Sequence, residues 1–180
     1  MYPSWSYYPQ NTRPPQWVGE FVDVVAAVES RISTAAVPPA SLRSDDVLSA
    51  MAPGLMTLGY AVESGKSAAG KIKRPVLFGE NGIPSVSYEI DAFHDEDGIV
   101  VEVEAGRGAR GNANYRDLVR TSLILDARFL ALLLPLAYRH QSGGRQVTVR
   151  AYEDTRAQLD AIYASERLRL PFVGTLLLGY

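Results

Sequence analysis

The sequence predicts a mixed α/β domain, on three observations. Apolar residues recur at helical spacing toward both ends of the chain. Between about residues 60 and 104 they fall in short runs broken by turn dipeptides. A wholly apolar run, 129–134, follows a further helical stretch. Helices, an antiparallel meander, a helix, a buried strand, a helix and a strand, in that order, imply a mixed central sheet with flanking helices. At 180 residues the chain suits one domain with a sizeable core. No repeat or linker divides it, so an extended arm over 1–16 and a single domain over 17–180 are expected.

Residues 1–16 are rich in Tyr, Pro, Asn and Gln without periodicity. They read as an arm either packed on the domain through Trp5, Tyr7 and Tyr8 or partly disordered. Val18, Phe21, Val22, Val25, Val28 and Ile32 set a helix over 17–32, which Val37-Pro38-Pro39 stops. Ser44 is the N-cap of a second helix that buries Leu48, Met51, Leu55 and Leu58; Pro53-Gly54 should kink or divide it, and Gly59 should end it. A short strand over 60–63 and a basic loop over 64–74, with Lys66, Lys71, Lys73 and Arg74, come next. Strands over 75–79 and 85–93 flank the turn dipeptide Asn81-Gly82, and a strand over 99–104 follows a turn at 95–98. Asn112 or Asn114 caps a helix expected to turn Tyr115, Leu118, Val119 and Leu123 inward. The run 129–134 suits a strand buried on both faces. A helix over 153–164 burying Leu159, Ile162 and Tyr163, and a strand over 171–178, complete the chain.

Composition excludes several classes of function. Without cysteine there is neither a disulfide nor a thiolate zinc site. A net charge of −2 supplies no general basic field for nucleic acid, so any such binding must come from a local patch. The longest apolar run, 129–138, is too short to span a bilayer and contains a proline. The first residues show no basic-then-apolar leader pattern, so a cytoplasmic location is expected.

The chemistry concentrates in residues 88–117. Alternation puts Glu89 and Asp91 on one strand face, and Glu102 and Glu104 on one face of the next. If the hairpin closes with Glu96-Asp97 at its tip, Asp91 lies opposite Glu102 and Glu89 opposite Glu104. Ile90, Ala92, Val101 and Val103 then form the core face. Opposed like charges destabilise a strand pair, so the cluster calls for a divalent cation, basic neighbours or raised pKa values. Oxygen-only ligands suit Mg²⁺. The same spacing also suits a solvated acidic face with Arg107 or Arg110 as counter-ions.

This order of elements, with Asp91 on the second hairpin and Glu102-Val-Glu104 on the return strand, resembles the PD-(D/E)XK nuclease superfamily. Its members include restriction endonucleases, repair nucleases and resolvases. The resemblance covers roughly residues 44–136 and implies an αβββαβ restriction-endonuclease-like core, here with an extra N-terminal helix and a C-terminal helix and strand. It implies that Asp91 and Glu102 are the motif acids that hold Mg²⁺ (or Mn²⁺), and that the reaction is hydrolysis of a DNA phosphodiester bond. Glu104 stands where the family usually has lysine, a position that some restriction enzymes of this fold fill with Glu or Gln. Ile90 stands where proline would precede the first acid. The family often adds a further glutamate, for which Glu63 or Glu29 is available, and Glu89 lies nearby. Lys71 or Lys73 can restore the missing cation. Arg107, Arg110, Arg116 and Arg120 follow the motif and suit phosphate contacts, or else neutralise the acids beside them. A homodimer is compatible with the resemblance. The competing reading is the same fold with degraded chemistry, acting as a nucleic-acid- or protein-binding module.

Other motifs fail on context. The 106–111 segment, Gly-Arg-Gly-Ala-Arg-Gly, matches a dinucleotide fingerprint, but the strand before it returns from an antiparallel hairpin and carries two glutamates. No nucleotide cofactor is expected. Gly65-Lys66-Ser67 resembles the end of a phosphate-binding loop whose first glycine is out of register. His94 and His140 lack ligand spacing, and His94 reads as a turn residue.

Overall fold

A computed structural model describes residues 2–35, 42–65, 67–105, 113–165 and 167–180. The strands are β1 (Ser4–Tyr8), β2 (Ala61–Val62), β3 (Ile72–Phe78), β4 (Pro84–Ile90), β5 (Ala92–His94), β6 (Ile99–Val103), β7 (Phe129–Leu134), β8 (Tyr138–Ser142), β9 (Arg145–Val149) and β10 (Gly174–Gly179). The helices are α1 (Gln16–Ala27), α2 (Glu29–Ile32), α3 (Ser44–Thr57), α4 (Ala113–Ser122) and α5 (Ala151–Ala164).

Six strands form one mixed sheet in the order β1-β10-β7-β6-β5-β2. β6, β7 and β10 are parallel neighbours. Their connections run through α4 and α5, as parallel pairing requires a long crossover. β5 and β2 add antiparallel to one side, and β1 adds antiparallel to the other. Two hairpins, β3–β4 and β8–β9, form separate two-stranded ladders.

The sheet is covered on both faces. Phe21 and Val25 of α1, with Val47, Met51 and Leu55 of α3, pack in one cluster with Val101, Ala131, Leu133 and Leu176. Leu118 of α4 and Leu159 of α5 pack in the other with Val100, Leu130, Leu132 and Leu177. β7 is buried along its whole length, which explains its unbroken apolar sequence. Among the described residues no helix is long and apolar enough to cross a membrane.

Several expectations change. The stretch read as an arm forms β1, an edge strand in which Tyr7 and Tyr8 are buried and Trp5 is exposed. Pro53 does not divide its helix, because α3 runs through it without a break. Lys73 and Arg74 lie on β3 and not in a loop. The β8–β9 hairpin, absent from the sequence reading, occupies a polar stretch whose signal is only the Gly143-Gly144 turn, both at positive φ. On α4, Tyr115, Val119 and Leu123 are 43%, 62% and 50% exposed; Leu118 points inward with Asn114, Asp117 and Thr121. This polar stripe has the same three-and-four spacing as an apolar one. It is stabilised by partners such as Thr155, whose Oγ1 accepts from Asn114 Nδ2 at 3.2 Å.

The acidic hairpin has the expected register between its strands, with Ala92 opposite Val101 and His94 opposite Ile99. Its turn closes on Gly98, at φ +66, whose N–H donates to His94 O and whose carbonyl accepts from Arg128 and Phe129. A Cβ at position 98 would lie 2.4 Å from the Asp126 carbonyl, a backbone atom with little freedom to move. Gly98→Ala should therefore cost about 1–3 kcal/mol, on the scale of forced backbone strain, measured as a lower urea midpoint at unchanged m-value. An unchanged midpoint would show that this turn is softer than its contacts imply.

Candidate metal centre

The acid-bearing chain bends at Asp91, between β4 and β5, and the bend interrupts side-chain alternation. Two consequences follow. Ile90 joins Phe93, Val100 and Leu118, and not Ala92 and Val101 on the opposite face. Glu89 leaves the cluster and, half-exposed on β4, pairs with Lys73 Nζ at 3.6 Å. Asp91 stays. Its Oδ2 accepts from the Val103 N–H at 2.7 Å, so a side chain replaces the strand's missing backbone acceptor and fixes Asp91 beside β6.

Alternation along β6 sends Val101 and Val103 toward α1 and α3, and Glu102 and Glu104 toward α4. α4 meets them with Asp117, which is 2% exposed. Arg116 spans the last two acids: its Nη2 donates to Glu104 Oε1 at 2.8 Å and its Nε to Asp117 Oδ1 at 3.0 Å. The second oxygen, Asp117 Oδ2, is buried without a hydrogen-bond partner. Glu63, just after β2, donates its backbone N–H to Asp91 O at 2.8 Å, and its carboxylate accepts from Lys71 Nζ at 2.5 Å.

Of the two candidate extra glutamates, Glu63 is thus the one beside Asp91, while Glu29 lies on α2. Of the two candidate lysines, Lys71 lies next to the acids and Lys73 is engaged by Glu89. Arg120 Nη2 donates to Glu89 O at 3.2 Å and its guanidinium lies over the Tyr88 ring. Arg107, Arg110 and the glycine-rich segment fall outside the described residues. His94 does the work of a turn residue: its ring bonds Leu58 O at 3.1 Å and accepts the Asp97 N–H. Asp117 was not among the expected site residues, although its position on the Asn114–Leu118–Thr121 stripe marked it.

The electrostatics follow from enclosure. Burial pushes the Asp91 carboxyl up to about 6, against the Val103 N–H, which favours the ionised form, and with help from Glu63 and Asp117. Burial also raises Glu102 well above its ordinary range, reinforced by Asp91 and Asp117. Glu104 is pushed up to about 8 by burial and by Asp117, and Arg116 offsets only part of this.

The donors fit a hard divalent ion: all are carboxylate oxygens, one of them buried and unpartnered. Among the described residues, no three acidic or histidine side chains already converge as a finished cage. Arg116 stands between Glu104 and Asp117, and Lys71 holds Glu63. The arrangement is a set of enclosed acids with exchangeable cationic partners. No protein-family model matches the chain, and no curated protein matches it.

A carboxyl with a raised folded pKa holds its proton longer in the fold than in the unfolded chain. For Asp91 the window runs from about pH 4, its unfolded value, to about 6. Across it the folded state binds more protons, so the Asp91 contribution to stability falls as pH rises and levels off above it, while Glu104 extends the fall to about pH 8. Asp91→Asn keeps an acceptor for Val103 and removes the titration. It should melt close to wild type at pH 4 and several degrees above it at pH 8 without divalent ions. A variant less stable than wild type at pH 8 would contradict this.

Proposed function

We propose that this protein is a divalent-metal-dependent phosphodiesterase of the PD-(D/E)XK type that cleaves DNA. The observation that carries the reading is the enclosure of Asp91, Glu102, Glu104 and Asp117 on one side of β6, with an oxygen of Asp117 left unpartnered. Asp117 is buried and Asp91, Glu102 and Glu104 are half-buried, and like charges so enclosed are costly and concentrate at functional sites. The topology supports the reading too. α3 precedes an antiparallel series β2, β5 and β6, and α4 then leads to β7, parallel to β6, as an αβββαβ core requires. β3 and β4 are an excursion within that series.

Asp91 and Glu102 would hold Mg²⁺ or Mn²⁺, with Asp117 a further oxygen donor. The ion, when bound, supplies Lewis acidity to a phosphate and acidifies a water molecule. Glu104, beside these acids, would accept the water's proton once it is itself ionised. Lys71, on Glu63, supplies the cation that the motif lacks at position 104. Arg116, whose guanidinium is exposed while it pairs with Glu104, would suit a phosphate oxygen.

One observation favours the competing reading, a binding module with lost chemistry. Arg116 already acts as a built-in counter-ion to two of the acids, as it would in a site that no longer takes metal.

Supercoiled plasmid separates these readings. The protein should nick or linearise it with Mg²⁺ or Mn²⁺ and leave it intact in chelator, and Asp91→Ala should reduce cleavage at least 100-fold and remove the Mn²⁺-induced rise in melting temperature. A melting shift without cleavage of duplex, single-stranded or branched DNA would favour the binding module. No shift and no cleavage would defeat the enzymatic reading.

A further inference from the structure

The β8–β9 hairpin takes no part in the central sheet or in either face of its core except at its base, where Val149 packs against the α4/α5 side. Such ribbons are marginal on their own and persist when something uses them. Its register sorts the side chains sharply. Arg139 pairs with Thr148 and Gln141 with Gln146, and all four are exposed. Tyr138 pairs with Val149 and His140 with Val147 on the other face, where the Tyr138 and His140 rings stack at 5.4 Å and both residues are half-buried. That face is anchored at its base through Val149, while Val147, nearer the tip, is exposed. The other presents a guanidinium fork, two amides and a hydroxyl in a four-residue block.

Charge points to the occupant. No Asp or Glu occurs between Asp126 and Glu153, while Arg128, Arg139, Arg145 and Arg150 do, in a chain whose net charge is −2. Arg150 shares Glu153 at 3.3 Å; Arg139 and Arg145 have no acidic partner among the described residues. A two-stranded ribbon fits the major groove of B-DNA, roughly 12 Å wide, where arginine forks read guanine and glutamine amides read adenine.

Placement links this ribbon to the acids. β8 leaves from the carboxyl end of β7, and Leu133 of β7 lies level with Val103 of β6. Tyr180 ties the two together: its carbonyl accepts from the Leu136 N–H at 2.9 Å, and its hydroxyl donates to Glu104 O at 2.9 Å. The start of the ribbon and Glu104 thus lie at the same end of the sheet, past the carboxyl ends of β7 and β6.

We propose that the β8–β9 hairpin is a duplex-DNA recognition ribbon, with Arg139, Gln141, Gln146 and Thr148 directed into the major groove. This rests on the reading of the protein as a DNA-cleaving enzyme and adds the surface by which it selects duplex. The test is fluorescence anisotropy with a labelled 20-base-pair duplex in chelator, so that binding is scored without cleavage. The triple variant Arg139→Ala, Gln141→Ala, Gln146→Ala should bind at least tenfold more weakly than wild type, and Arg139→Lys, which keeps the charge but loses the fork, should show an intermediate loss. Val147→Thr, on the anchored face, should bind like wild type. The Mn²⁺-induced melting shift should survive in all three, which shows that they fold and retain the acidic site. Undiminished duplex binding by the triple variant overturns the proposal, as does tighter binding of wild type to RNA or single-stranded DNA than to duplex. Duplex binding lost in the triple variant, in a wild-type protein that never cleaves, would defeat the nuclease reading and leave the ribbon standing.

Discussion

The period-two alternation of β6 is the constraint from which the rest of the site follows. Val101 and Val103 must pack beneath α1 and α3. Glu102 and Glu104, one residue out of phase, are thereby forced into the layer under α4. A slip of one residue would move both glutamates into the apolar layer under α1 and α3 and the valines into the layer under α4, so register and site stand or fall together. The parallel pairing of β6 with fully buried β7 holds that register in place. Asp91 adds to the acid cluster because its carboxylate takes the Val103 N–H where the bent strand cannot.

Enclosing so many carboxylates is unfavourable, and the structure offsets it in three ways: raised proton affinity at Asp91, Glu102 and Glu104, ion pairs through Arg116 and Lys71, and a backbone hydrogen bond at Asp91. The first two are reversible. On the proposed function, a divalent ion would compete with protons and with the arginine for the same oxygens. In that proposal Glu104, standing where the resembled family usually has lysine, would be the proton acceptor.

Much of this was legible in the sequence where a local rule decided the outcome. The β5–β6 register followed from alternation and a short acidic turn, β7 from its unbroken apolar run, and the Asn81-Gly82 turn from its dipeptide, with both residues at positive φ. Reading failed where tertiary partners overrode periodicity. The bend at Asp91, which sends Glu89 to Lys73 and Ile90 to the other face, depends on a side-chain-to-backbone bond that no spacing rule announces. α4 offered two stripes of equal period, and on the buried polar one α5 supplies partners for Asn114 while Arg116 of α4 itself pairs with Asp117. β8 and β9 lack an apolar alternation strong enough to mark them. Most of their residues are exposed, so no core imposes a pattern on them.

The central claim is that these acids form a cation site whose protons a divalent ion displaces. Calorimetric titration of Mn²⁺ at pH 7 in two buffers of different ionisation enthalpy tests it most directly. A cation site of this kind gives saturable binding whose apparent enthalpy differs between the buffers, corresponding to release of about one proton or more per ion as the raised carboxyls ionise. Saturable binding with the same enthalpy in both buffers, or no binding heat in either, would contradict it.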